Sequence, residues 1–337
     1  MVKKIRTGVI GVGYLGRFHA QKYAGMEHVE LIGVADPDSR RTQLVAEECG
    51  CAQFDDYHDL LQEVDALSIV VPTILHHTIA KECLQHFVDI LVEKPFTTTL
   101  AEADELIELS KKHNRLIQVG HLERYNPALL AARPLLTSPL FIEAHRLSVF
   151  NPRGTDVDVV LDLMIHDIDI ILSLVNSPVK TIHGVGVPVI TPRTDIANAR
   201  VIFANGCTAN ITASRVSMKN MRRMRIFQPG KYLAVDFNKK EVLATSVKRS
   251  QSRQDAIFDT TTHGHKDQDV LKTELTDFIN NVRQRRIPLV SGNEGKRALE
   301  TALDIRKHIA ACRSQVQDIF TQCGEPDPYT LKHELIS

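Results

Sequence analysis

Gly11-Val12-Gly13-Tyr14-Leu15-Gly16 is the stretch that decides the fold of this 337-residue chain. It follows the apolar run Thr7-Gly8-Val9-Ile10 and opens a helical stretch, Tyr14 to Gly25. Glycines in the pattern G-x-G-x-x-G permit a tight turn, the close approach of a pyrophosphate, and close packing of helix on strand. The helix N-terminus, here Tyr14, Leu15 and Gly16, adds amide donors and a favourable dipole. With glycine at 17 of 337 positions, about 0.04 such matches are expected by chance before the strand and helix context is required. The loop therefore predicts a Rossmann domain. A second strand, Val29 to Ala35, ends at Asp36, 20 residues after Gly16, the offset of a carboxylate that binds a ribose 2′-hydroxyl. That points to NAD. Arg40 and Arg41 stand close enough to offset the repulsion of a 2′-phosphate in part, FAD shares the fingerprint, and Asp36 could instead simply start the next helix before Pro37.

Outward from the loop, apolar β-branched runs alternate with helical stretches. Ser39 to Cys49 reads as a helix; Ala66 to Val71, Val88 to Val92 and Leu116 to Val119 read as strands. Repeated βαβ units imply a parallel sheet. Thr99-Leu-Ala-Glu102 is a capping box, so Glu93-Lys94-Pro95 falls on a loop just beyond a strand's carboxyl end, the edge at which such sheets bind ligands.

After about His121 the pattern changes. A helix, a strand at Phe141 to Phe150 and a helix at Val157 to Val175 precede alternating segments from Thr181 to Thr245, with turn signals at Asn205-Gly206 and Pro229-Gly230. Val247 to Asp267 is polar and poor in aromatics and reads as an exposed connection. Two helices close the chain, the later one begun by the capping pattern Ser291-Gly-Asn-Glu294. The expected fold class is α/β, with an N-terminal Rossmann domain over residues 1–121. An α+β domain over 122–337 carries a largely antiparallel open sheet.

Composition excludes several classes. Lys plus Arg and Asp plus Glu both number 41, so no global basic field draws nucleic acid. The apolar runs are far shorter than the ~20 residues that cross a bilayer, and the basic N-terminus runs into the first strand without a cleavable hydrophobic segment. The cytoplasm is the expected compartment. Six cysteines, at 49, 51, 83, 207, 312 and 323, form no CxxC pair and read as reduced thiols. Cys49-Gly-Cys51 and His263-Gly-His265 read as a helix end and a polar loop rather than metal ligands, and no metal is expected.

Oxidising an alcohol by hydride transfer needs a group that removes the hydroxyl proton and a polar environment for the developing alkoxide. Lys94, at the sheet's ligand edge, would be partly desolvated beside a cofactor and suited to act as a base. Asp162 and His166, at i and i+4 on one helix, share a face, so the carboxylate can orient substrate or imidazole while the imidazole exchanges a proton. Taken singly, such a lysine is more often a solvated loop residue and an i,i+4 Asp/His pair more often a surface contact.

Four elements occur together: the glycine loop, Val71-Pro-Thr-Ile-Leu-His76, Glu93-Lys94-Pro95, and Asp162-Leu-Met-Ile-His166-Asp-Ile-Asp169. With them the chain resembles the glucose-fructose oxidoreductase, inositol dehydrogenase and rhizopine catabolism (Gfo/Idh/MocA) family. The resemblance implies a catalytic trio of Lys94, Asp162 and His166, with Pro72, Thr73, His76 and Glu93 lining the nicotinamide or ribose region. Many members carry a Gly-Gly pair shortly before the aspartate; this chain has Asp156-Val-Asp-Val-Val-Leu-Asp162.

Gly120-His-Leu-Glu-Arg-Tyr-Asn-Pro127 and Phe150-Asn-Pro-Arg153 are similar instead to the branch acting on nucleotide sugars. That implies a UDP-sugar substrate oxidised at C3 and an aminotransferase consuming the ketone on the way to lipid A or another glycan. Arg124, Asn126 and Arg153 are then candidate substrate contacts, and equally candidate braces of the domain junction. The family also implies a homo-oligomer, dimer or tetramer, formed through the exposed face of the C-terminal sheet. A free sugar or polyol is the alternative substrate. A dinucleotide-sensing regulator is the alternative class, against which retention of Lys94, Asp162 and His166 argues.

Overall fold

The apolar runs of the first third are strands because β-branched residues buried on both faces suit a parallel sheet covered by helices. In the computed structural model, which describes residues 3–151, 157–249, 256–264 and 267–322, they are β1 (Ile5–Ile10), β2 (Val29–Ala35), β4 (Ala66–Ile69), β5 (Asp89–Glu93) and β6 (Ile117–Gly120). A three-residue strand that the sequence does not announce, β3 (Ala52–Phe54), joins the edge. All pairings are parallel, in the order β3-β2-β1-β4-β5-β6. The order reverses between β1 and β4, the switch point outside which ligands bind.

Helices α1 (Tyr14–Ala24), α2 (Ser39–Cys49), α3 (Tyr57–Leu61), α4 (His76–Gln85) and α5 (Leu100–His113) alternate with these strands. Asp38 caps α2 and the Thr99/Glu102 box caps α5 in both directions, each satisfying amides that the helix leaves orphaned.

The chain forms two compact units, and their division differs from the expected one. The first unit is Met1–Tyr125 together with Gln268–Leu299; the second is Asn126–Asp267 with Glu300–Ser337. Helix α8 (Val270–Gln284) returns to the Rossmann unit because its apolar stripe, Leu275, Phe278, Ile279 and Val282, is buried with Val9, Tyr23, Val34 and Leu91. A stripe of that kind is visible in sequence, but the surface it covers is not.

In the second unit, α6 (Pro127–Ala132) and α7 (Ile165–Leu174) accompany an eight-stranded sheet. Its strands are β7 (Phe141–Leu147), β8 (Val179–Val187), β9 (Ile196–Phe203), β10 (Thr208–Ser214), β11 (Met221–Gln228), β12 (Lys231–Asp236), β13 (Glu241–Arg249) and β14 (Ala256–Gly264). The order is β14-β13-β12-β11-β7-β10-β9-β8, antiparallel except for β7 with β10. The two hairpin turns appear where Gly206 (φ 87°) and Gly230 (φ 68°) supply left-handed backbone.

Val247 to Asp267, expected as a connection, is corrected in its described part to strand. Val247–Arg249 ends β13, and β14 pairs with β13 along its length. An edge strand keeps one side in water and so tolerates the polar run that hid it. The last helix, α9 (Gly292–Gln322), spans the boundary between the units and starts as expected: Glu294 accepts the Ser291 amide at 3.1 Å, while the Ser291 hydroxyl accepts from Asn293. Among the described residues no helix is long and apolar enough to cross a membrane.

Replacing fully buried Phe278 with alanine should cost about 3–5 kcal/mol in denaturant unfolding. A loss below ~1 kcal/mol would show that α8 is dispensable to the first unit's core.

Candidate active site

The glycine loop follows β1 because each glycine answers a separate steric demand. Gly11 has φ +84°, and a Cβ there would lie 2.3 Å from the Val70 carbonyl oxygen. At Gly16 a Cβ would lie 1.9 Å from the Gly11 oxygen, so only glycine lets α1 settle on the turn before it. Gly13 is different: a Cβ would meet nothing within 4 Å. That open space stands over the first turn of α1, whose N-cap, Gly13, makes no side-chain hydrogen bond to the helix. The Tyr14, Leu15 and Gly16 amides with the helix dipole form a site for an anion such as a pyrophosphate.

Asp36 is held against this loop. One carboxylate oxygen accepts from the Val12 amide at 2.9 Å and the other from the Asp38 amide at 3.0 Å, with the side chain only 9% exposed. The group is oriented before any ligand arrives. Arg41, rather than Arg40, stands beside it, at 3.5 Å from Asp36 and 3.3 Å from Asp38; Arg40 is exposed on the first turn of α2.

At the end of β4, Pro72 is exposed and Thr73 half-buried, and a 3-10 turn covers Thr73–Leu75. His76 is 1% exposed, with one ring nitrogen 2.9 Å from the Pro95 oxygen and the other 2.9 Å from the Val71 oxygen. Burial pushes its pKa down, against the two carbonyls, which favour the proton. Through these two contacts His76 ties the loops after β4 and β5 together.

Glu93 ends β5, and its register partner is Gly120 on β6. A Cβ at Gly120 would lie 2.8 Å from the Glu93 carboxyl group, so the glycine makes room for that carboxylate. Oε2 of Glu93 accepts from the Lys94 amide at 3.3 Å, and Oε1 lies 3.3 Å from His19 Nε2. Lys94 is half-buried and is joined to Pro95 by a cis peptide bond. The sequence marks Gly120 only as the start of the Gly120–Pro127 stretch and does not mark His19; the available signals were Gly120 ending a strand and His19 standing on the apolar side of α1.

In the second unit, Asp162 lies on a π-helical turn, Val160–Met164, that runs into α7. The expectation of one regular α-helix is corrected here: the Ile165 amide reaches the Val160 oxygen five residues back. Asp158 starts the turn by accepting from the Val160 and Leu161 amides at 3.0 and 3.1 Å. Arg146 of β7 then fixes the rotation of α7 through paired 2.9 Å bonds to Asp167, both side chains being buried. Asp162 and His166 are left half-buried.

The expected substrate contacts fare differently. Arg124, 4% exposed, donates to the Leu289 oxygen at 3.4 Å. Asn126, also 4% exposed, caps α6 through Ala128 and donates to the Phe237 oxygen at 3.1 Å. Both brace the unit that contains them. Arg153, Asp156 and His265 lie outside the described residues. Cys49 and Cys51 are half-buried free thiols, with burial raising both and Cys51 to about 11. Among the described residues no three His, Cys, Asp or Glu side chains group as metal ligands.

The first unit thus gathers the glycine loop, Asp36, the Val71–His76 loop and Glu93-Lys94 at the carboxyl edge of one sheet; Asp162 and His166 belong to the second unit. The model of the GFO/IDH/MocA oxidoreductase family's NAD-binding Rossmann fold matches residues 5–121, and that of the family's C-terminal domain matches residues 145–228.

UDP-N-acetylglucosamine 3-dehydrogenase from Acidithiobacillus ferrooxidans is 40% identical over 313 residues, covering 91% of this chain and 98% of that protein. Its solved structure gives a TM-score of 0.83. The scyllo-inositol 2-dehydrogenase (NAD(+)) of Bacillus subtilis is 26% identical, covering 98% of this chain and 99% of that protein. A levoglucosan dehydrogenase solved with NADH has the same fold, with a TM-score of 0.82 at 17% identity over 92% of this chain and 98% of that one.

Asp36→Ala should weaken NADH binding by about 10–100-fold, the loss of hydrogen bonds to a charged group, and narrow the preference for NADH over NADPH. Fluorescence titration of both dinucleotides checks this; unchanged affinity would remove Asp36 from the cofactor site.

Proposed function

Because the chain belongs to the GFO/IDH/MocA family of NAD-binding oxidoreductases, we propose that it oxidises the C3 hydroxyl of UDP-N-acetylglucosamine with NAD. The product is the 3-keto sugar nucleotide. The observation that carries this reading is the end-to-end likeness to the Acidithiobacillus 3-dehydrogenase, which spans both units rather than the cofactor domain alone.

NAD, when bound, accepts the hydride that leaves C3. The glycine loop and the amides of Tyr14, Leu15 and Gly16 hold its pyrophosphate, and Asp36 takes the adenosine ribose hydroxyls. Pro72, Thr73 and His76 would line the nicotinamide or ribose region, with Glu93 at the ribose. Lys94 or His166 takes the proton from the C3 hydroxyl as the carbonyl forms, and the resulting ammonium or imidazolium offsets charge on the oxygen. Asp162 orients the sugar or His166. The balance is one alcohol and NAD giving one ketone, NADH and a proton.

A 3-keto sugar nucleotide is reactive and its formation is uphill, so a pyridoxal-type aminotransferase giving a 3-amino sugar, for lipid A or another glycan, is the class of enzyme that would consume it. The reaction's substrates suit a cytoplasmic enzyme. The outward face of the eight-stranded sheet exposes Val185, Val187, Leu243, Val247 and Phe258, which supports burial against a second copy of the chain. The full-length likeness to an inositol dehydrogenase keeps a free polyol as the second reading.

Purified protein with UDP-N-acetylglucosamine, NAD, an aminotransferase and glutamate should yield NADH and a 3-amino sugar nucleotide, with no turnover of inositols or free sugars. Turnover of a polyol instead would replace the substrate. Lys94→Ala and His166→Ala should each lose about 10²–10⁴ in turnover while still binding NADH, and an undiminished rate would remove that residue from the proton path.

A further inference from the structure

Beneath the cofactor edge, a row of buried polar side chains joins the helix of the glycine loop to Glu93. His19 and Tyr23, one turn apart on α1, are both 0% exposed, as is Ser68 of β4. Tyr23 Oη lies 2.8 Å from Ser68 Oγ, and that oxygen lies 3.1 Å from His19 Nδ1. On its other side, His19 Nε2 lies 3.3 Å from Glu93 Oε1.

Three polar groups with no exposure would be costly in a core unless each were partnered, and apolar residues of the same size would serve packing alone. The direction of the protons follows from the last member. An ionised carboxylate only accepts, so Nε2 carries the hydrogen. The neutral ring then accepts at Nδ1, Ser68 donates there, and Tyr23 donates to Ser68. Every donor in the row points towards Glu93.

The link to Glu93 is the loose one. Nε2 is within ion-pair range of Oε1, yet no partner is aligned with it for a hydrogen bond, although the atom is buried. Glu93 is confined on its other sides by the Lys94 amide and by the Cα of Gly120. A modest rotation of the carboxylate is what remains to complete the row, and hydrogen bonds of this kind tighten when the ligand arrives.

We propose that His19 is a positioning residue, whose Nε2–H aligns the Glu93 carboxylate on the dinucleotide's ribose and so sets the strand end that carries Lys94 against the helix that carries the glycine loop. The inference rests on the reading of Glu93 as a ribose contact. It does not depend on the sugar substrate.

The test compares His19→Gln, whose amide reaches Glu93, with His19→Asn, whose amide faces Ser68 but stops short of Glu93. NADH affinity is read by fluorescence titration, which needs no sugar, so failure of the UDP-sugar assignment leaves it intact. His19→Asn should bind NADH about tenfold more weakly and His19→Gln within about threefold of the parent, the difference of one charge-assisted hydrogen bond. Adding His19→Asn to Glu93→Gln should cause little loss beyond that of Glu93→Gln alone, because His19 acts through Glu93. Equal affinities in the two histidine variants, loss of folding in both, or additive effects with Glu93→Gln would overturn the proposal and leave His19 as a packing residue.

Discussion

The contact on which the first unit depends is the approach of Gly16 to the carbonyl of Gly11, where an added methyl would stand 1.9 Å from the oxygen. With any side chain at Gly16, α1 would have to lift off the turn, and three consequences would follow. The helix N-terminus would no longer point its amides at the loop, Val12 would lose its register with Asp36, and His19 and Tyr23 would leave Ser68. The glycine at 16 is thus a constraint on the whole carboxyl edge of the sheet, not on a turn alone.

That edge is fastened by side chains that each reach from one element to the next. Asp36 after β2 accepts from Val12 after β1; His76 at the start of α4 spans the carbonyls of Val71 after β4 and Pro95 after β5. His19 on α1 faces Glu93 at the end of β5. Loops fastened in this way meet a ligand already oriented, so less of the binding energy is lost to ordering them. In the second unit the comparable fastening is the buried Arg146–Asp167 pair, which sets the rotation of α7 and so the placement of Asp162 and His166.

Much of this was legible in the sequence where local chemistry is self-sufficient. Buried parallel strands read as apolar runs, α2 falls on the residues expected of it, and the Thr99/Glu102 box marks its helix by itself. What was not legible depends on partners far along the chain or on hydrogen bonding without a hydrophobic signature. The stripe of α8 says that something is covered but not that it is the Rossmann sheet. The polar face of β14 disguises a strand because it sits at an edge. The five-residue hydrogen bond under Asp162 leaves the apolar spacing of its helix almost unchanged. Around the site, the offset of Asp36 puts it at the end of β2 in sequence as in structure, whereas nothing in the sequence tells that His76 reaches the Pro95 and Val71 oxygens, Arg124 the Leu289 oxygen or Asn126 the Phe237 oxygen.

The central claim is that the chain moves a hydride from C3 of a UDP-linked N-acetylglucosamine to NAD. UDP-N-acetylglucosamine deuterated at C3, turned over with NAD, tests it by mass spectrometry of the dinucleotide. The account predicts that the deuterium appears in the reduced dinucleotide and is absent from the sugar product. Unlabelled NADH, with the label kept in the sugar or washed into water, would contradict it.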